Sequence, residues 1–159
     1  MGIAQFGMSP DTILIGIGNC GRGDDGLGWA FLERVQEKFE FPGQLEYRYQ
    51  LQVEDAELIS RADRVVFIDS YKGALPGGFL WQPCKASANV DFTSHILSAG
   101  TVLCLCADLY GKNPPADLLM IQGESWELRN GISPGAQVNL EQALAYFEQK
   151  VEPPASRSR

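Results

Sequence analysis

Three segments of this 159-residue chain carry side chains able to bind a cation or move a proton. Asp24 and Asp25 stand together in the glycine-rich run Asn19-Cys20-Gly21-Arg22-Gly23-Asp24-Asp25-Gly26. Asp69 closes the aliphatic run Val65-Val66-Phe67-Ile68, and His95, the single histidine, follows a stretch of small polar residues. Two carboxylates and an imidazole from separate segments match the ligand set of a divalent transition metal that keeps positions open for a substrate. Each residue also has a plainer explanation. An aspartate at a helix start caps free N–H groups and complements the macrodipole, one at a strand end caps the next turn, and a lone histidine on a helix's first turn is often structural. The case for chemistry is that all three fall at one edge of the same predicted sheet.

That sheet follows from the hydrophobic pattern. Residues 12–18 form a continuous aliphatic run, read as a buried strand, and Leu27, Ala30, Phe31, Leu32 and Val35 then recur at helical spacing over 26–39. Residues 45–51 alternate as a strand, 53–62 read as a short helix, and 64–69 as a second buried strand ending on Asp69. An edge strand is expected at 77–83, where glycines and prolines bracket it. A helix over 95–110 is expected to be capped by Thr93 or Ser94, with Ile96, Leu97, Leu103, Cys106 and Ala107 on one face. Pro114-Pro115 ends it, 117–122 gives the last core strand, and 136–150 a closing helix. The economical fold is α/β: a three-layer αβα arrangement with a twisted, mostly parallel sheet of about five strands between helices. One domain over 1–152 and a disordered tail at 153–159 complete the reading. In such sheets ligands bind beyond the carboxyl ends of the strands, where Asp24, Asp25 and Asp69 are expected.

A net charge of -7 disfavours nucleic acid and anionic membrane surfaces. No apolar run is long enough to span a bilayer, and no basic stretch followed by an apolar one opens the chain, so a cytoplasmic protein without a secretory leader is expected. Cys20, Cys84, Cys104 and Cys106 form neither a CxxC pair nor a zinc spacing, and Cys104 and Cys106 read as small buried hydrophobes.

Gly16-Ile17-Gly18-Asn19-Cys20-Gly21 satisfies the GxGxxG dinucleotide pattern after a strand. The helix begins too late for the third glycine to pack on the sheet, two carboxylates would face the pyrophosphate, and the second strand lacks the acid that binds a ribose. A Cys20–His95 thiolate pair is conceivable, although the neighbouring carboxylates oppose ionisation of the thiol. No GxSxG elbow is present.

The run Ile15-Gly16-Ile17-Gly18-Asn19, with Gly23-Asp24-Asp25-Gly26-Leu27-Gly28 after it, resembles the signature of the [NiFe] hydrogenase maturation proteases. These endopeptidases remove a C-terminal extension from the hydrogenase large subunit. The resemblance runs from Ile13 to about Phe147 and takes in 65–69, Ser94-His95, and Gly123 with Gly131-Ile132-Ser133-Pro134. It implies that Asp25, Asp69 and His95 contact the metal and carry the catalytic site, with Asn19 and the loop glycines shaping it. It further implies that nickel arrives in the large-subunit precursor, so that neither a permanent metal nor an organic cofactor is needed, and that the chain acts as a monomer. Two departures stand out: Asp25 occupies a position often held by Glu, and the loop after the second strand reads Gln50-Leu51-Gln52-Val53-Glu54 rather than being rich in glycine and threonine. The alternatives are a nickel-dependent binding or chaperone module for the same precursor and, less favoured, a nucleotide-binding enzyme.

Overall fold

The computed structural model describes residues 7–87 and 97–151. His95, the proposed caps Thr93 and Ser94, Ile96 and the tail at 153–159 lie outside the described residues.

Strands β1 (Thr12–Ile17), β2 (Gln44–Arg48), β3 (Arg64–Tyr71), β4 (Phe79–Pro83) and β5 (Ala116–Gln122) form one sheet in the order β2-β1-β3-β5-β4. All pairs are parallel except β4–β5, which places β4 antiparallel at one edge, as its bracketing prolines and glycines predict. Helices α1 (Leu27–Lys38) and α4 (Pro134–Lys150) cover one face, while α2 (Asp55–Ile59) and α3 (Ala99–Tyr110) cover the other.

The period-2 alternation of the strands sorts the core between these layers. Leu14, Val66 and Ile68 pack toward Phe31, Leu32, Leu144 and Phe147, whereas Ile13, Ile15, Val65 and Phe67 pack toward Ile59, Val102 and Cys106. The three-layer arrangement expected from the pattern is thus present.

Several boundaries differ from expectation. Strand β3 continues two residues past Asp69, because Ser70 and Tyr71 still pair with Ile121 and Gln122. Strand β2 stops at Arg48; Leu51 instead turns inward, is buried, and makes an isolated bridge with Leu97. Helix α3 is capped by Ser98, whose hydroxyl accepts from Thr101 N, so helical structure starts later than 95. Helix α4 begins two residues early, since Ser133 caps it and Pro134 suits the first turn. Cys106 is buried as expected, but Cys104 is only half-buried.

The topology creates one privileged crevice. From β1 the chain runs through α1 to β2 on one side, then returns through α2 on the opposite face to β3 on the other side of β1. The carboxyl ends of β1 and β3 therefore flank the point where strand order reverses, the usual ligand position in such sheets.

Candidate active site

The loop leaving β1 reaches this crevice through close backbone packing. A Cβ on Gly28 would lie 2.6 Å from Ile68 O and 2.7 Å from Ile17 O, so only glycine lets the start of α1 settle between β1 and β3. Gly18, at φ 138°, faces the backbone carbonyl of Asp25 where any Cβ would collide. Residues Gly23–Gly26 form a single 3-10 turn ahead of α1. The helix therefore starts after the paired acids, in keeping with the argument against a dinucleotide cradle.

That turn sends Asp24 and Asp25 in different directions. Asp24 is fully buried, and its carboxylate accepts from Glu124 N (2.7 Å), Ser125 N (2.8 Å), Ser133 N (2.8 Å) and Ser133 Oγ (2.7 Å). Burial alone would raise its pKa, but the hydrogen bonds from Ser133, Glu124 and Ser125 outweigh it and hold the carboxyl below its ordinary range. Asp24 N donates to Ser125 O, and Gly23 N to Arg129 O, so the turn and loop 123–133 are fastened at several points. Asp24 is a structural clasp.

Asp25 is half-buried and looks into the crevice. Its Oδ2 accepts from Asn19 N at 2.8 Å, while Asn19 Oδ1 accepts from Gly21 N at 2.9 Å. Asn19 thus closes the loop through Gly21 and holds the Asp25 carboxylate in place. On the facing strand, Ser70 joins the two acids: its hydroxyl lies 3.4 Å from Asp25 Oδ1, and its N–H donates to Asp69 Oδ1 at 2.8 Å. Ser70 is a site residue that sequence reading missed, since a serine one position beyond a strand aspartate carries no signal of its own.

Asp69 is pushed up to about 7, chiefly by burial and further by the charge of Asp25, against the Ser70 N–H that favours ionisation. Among the described residues, neither Asp25 nor Asp69 takes part in an ion pair. Two adjacent carboxylates without a cation form a site that favours a positive charge or a shared proton. Among the described residues no set of three His, Cys, Asp or Glu groups comes together as a complete metal site. Among the described residues Asp25 and Asp69 supply the oxygen donors here, which leaves the remaining positions of a divalent ion to other ligands.

Aromatic rings gather at the carboxyl end of β2. Arg48 O accepts from both Gly18 N and Trp29 Nε1, each at 2.9 Å, which ties β2 to the signature loop. Trp29 stacks on Tyr49, which is 67% exposed beside an exposed Val53. Arg48 in turn pairs with buried Asp55, whose second oxygen accepts from Gln52 N. The segment 50–54 is thereby pinned to the end of β2, with Leu51 bridged to Leu97. Cys20 is exposed in the glycine-rich loop after β1. No described helix is long and apolar enough to cross a membrane.

No protein-family model matches the sequence, and no curated protein does either. Solved structures do match. The hydrogenase maturating endopeptidase HybD from Escherichia coli aligns with a TM-score of 0.66 at 19% identity, over 86% of this chain and 88% of that one. The [NiFe] hydrogenase maturation protease HycI from Thermococcus kodakarensis aligns with a TM-score of 0.62 at 27% identity, over 87% of this chain and 88% of that one. The endopeptidase HycI from Escherichia coli gives a TM-score of 0.60 at 18% identity, over 90% and 93%.

Proposed function

We propose that this chain, which shares the fold and the signature loop of the [NiFe] hydrogenase maturation proteases, is itself an endopeptidase of hydrogenase maturation that removes the C-terminal extension of a nickel-loaded large-subunit precursor. The observation that carries the reading is the Asp25–Ser70–Asp69 arrangement at the strand-switch crevice, two carboxylates that make no ion pair among the described residues. Nickel belongs to the substrate in this scheme. Asp25 and Asp69 hold it, with His95 as the third ligand. In sequence His95 lies two residues before Leu97, and Leu97 is bridged to Leu51 on the sheet face that carries Val65 and Phe67. Strand alternation assigns Asp69 to that same face.

The residues divide the work. Asn19 N–H and the 3-10 turn fix Asp25, and Ser70 N–H fixes Asp69. Before a cation arrives Asp69 is pushed up to about 7, so near neutral pH it can release its proton and become a ligand. The precursor's nickel, once held by the carboxylates, supplies Lewis acidity toward the peptide carbonyl. Whether the water is activated at the carboxylate or by the metal, the same two side chains are required. The reaction needs no organic cofactor, and a single copy of the chain contains all the groups named.

The test incubates the protein with nickel-loaded and nickel-free precursor and weighs the large subunit by mass spectrometry. Shortening of the loaded form alone is expected. Binding without shortening would replace the protease with a chaperone module.

A further inference from the structure

Of the described basic side chains, Arg34, Lys38, Arg48, Arg61 and Arg64 each reach a carboxylate, and Lys85, Lys112 and Lys150 stand in other parts of the fold without an ion pair to a described residue. Arg22, Lys72 and Arg129 are exposed, and no ion pair among the described residues includes them. They issue from three backbone segments bonded to one another beside the crevice. Gly23 N donates to Arg129 O at 2.9 Å, which sets Arg129 next to the segment of Arg22. Gly123 N donates to Tyr71 O at 3.1 Å, and Lys72 Nζ stands 5.1 Å from the centre of the Trp126 ring.

Loop 123–133 has no regular structure, yet it is not free to move. Asp24 grips it at Glu124, Ser125 and Ser133, and between these anchors it holds out Leu128, 78% exposed. Glu124 turns its carboxylate onto Gly135 in the first turn of α4, leaving Glu127 as the remaining acid of the loop. A clamped loop that displays an apolar side chain among unpaired cations is built for contact rather than for folding.

We propose that Arg22, Lys72 and Arg129, with Leu128 and Trp126, form a docking surface for an acidic segment of the substrate protein that carries apolar side chains among its carboxylates. The inference takes the substrate's identity from the endopeptidase reading and adds the chemistry of the segment that docks. Charge complementarity decides the sign. The carboxylates of the crevice take the substrate's cation, while the cations of the rim take its acids, so the two patches fix the direction in which the segment lies. The rest of a protein with net charge -7 repels an acidic segment, which confines that segment to the cations of the rim.

The test titrates the isotopically labelled full chain with two short peptides, one alternating glutamate with leucine and one alternating lysine with leucine. Shifts at Gly23, Arg129 and the Trp126 indole are expected with the acidic peptide, and they should vanish in the Arg22→Glu/Lys72→Glu/Arg129→Glu variant. An equal response to the basic peptide, or shifts centred on another face, overturns the proposal. In precursor processing the same variant should raise KM by about tenfold at low salt, leave kcat within about twofold, and approach wild type at high salt. An unchanged KM overturns it too. The peptide measurement needs no cleavage, so a chain that binds the acidic peptide but cuts no precursor refutes the protease reading while supporting the docking surface.

Discussion

Asp24 and Asp25 are adjacent carboxylates with opposite duties. Asp24 faces inward and accepts four hydrogen bonds from the loop that leads into α4, while Asp25 faces the crevice and accepts from Asn19 N. The Asp24→Ala variant should lose about 2–4 kcal/mol of stability, because burial leaves those donors poorly compensated. Asp25→Ala should change stability by about 1 kcal/mol or less and abolish processing. Urea denaturation beside a processing assay separates the two; equal loss of stability in both variants would contradict this division.

The raised pKa of Asp69 has a sign that can be measured. Its folded value of about 7 lies above the ordinary aspartate value near 4. The stability associated with this position is therefore complete below about pH 4 and is lost as pH rises through about 7. Asp69→Asn removes the ionisation, so its melting temperature should exceed that of wild type by more at pH 8 than at pH 4, while processing is lost. A difference independent of pH would show that Asp69 ionises normally.

Gly28 is a test of how tightly α1 is seated. A methyl group there meets Ile17 O and Ile68 O, both backbone atoms that cannot swing aside. Gly28→Ala should cost about 1–3 kcal/mol and, by lifting the start of α1, lower kcat more than an exposed substitution such as Leu109→Ala. Retained kcat would mean that the crevice tolerates displacement of α1.

His95→Ala should abolish nickel-dependent processing with a denaturation midpoint close to that of wild type. Marked destabilisation would instead return His95 to a structural role.

Much of this arrangement is legible in the sequence because it depends on local pattern. The aliphatic runs of β1, β3 and β5 mark buried strands, the spacing of Leu27, Phe31 and Val35 marks α1, and the glycines with paired acids mark the loop between them. The run ending on Asp69 marks the carboxyl end of β3 to within two residues; the strand continues past it because its length is set by pairing with β5 rather than by the residues themselves. The duty of Asp24 was not legible. Three of its four partners are backbone N–H groups, which every residue but proline owns, and they lie 100 or more positions away. The unpaired state of Arg22, Lys72 and Arg129 was equally hidden, since it depends on which acids fold elsewhere.

The clasp at Asp24 also has a consequence for biosynthesis. Its partners begin at Glu124, so a nascent chain that has completed β1, α1 and β3 still carries Asp24 without the groups that hold it. The turn bearing Asp25 cannot lock until the last quarter of the polypeptide has emerged and folded back. The candidate site is consequently among the final parts of the molecule to mature, and an incompletely made copy has the sheet without the fixed turn that presents Asp25.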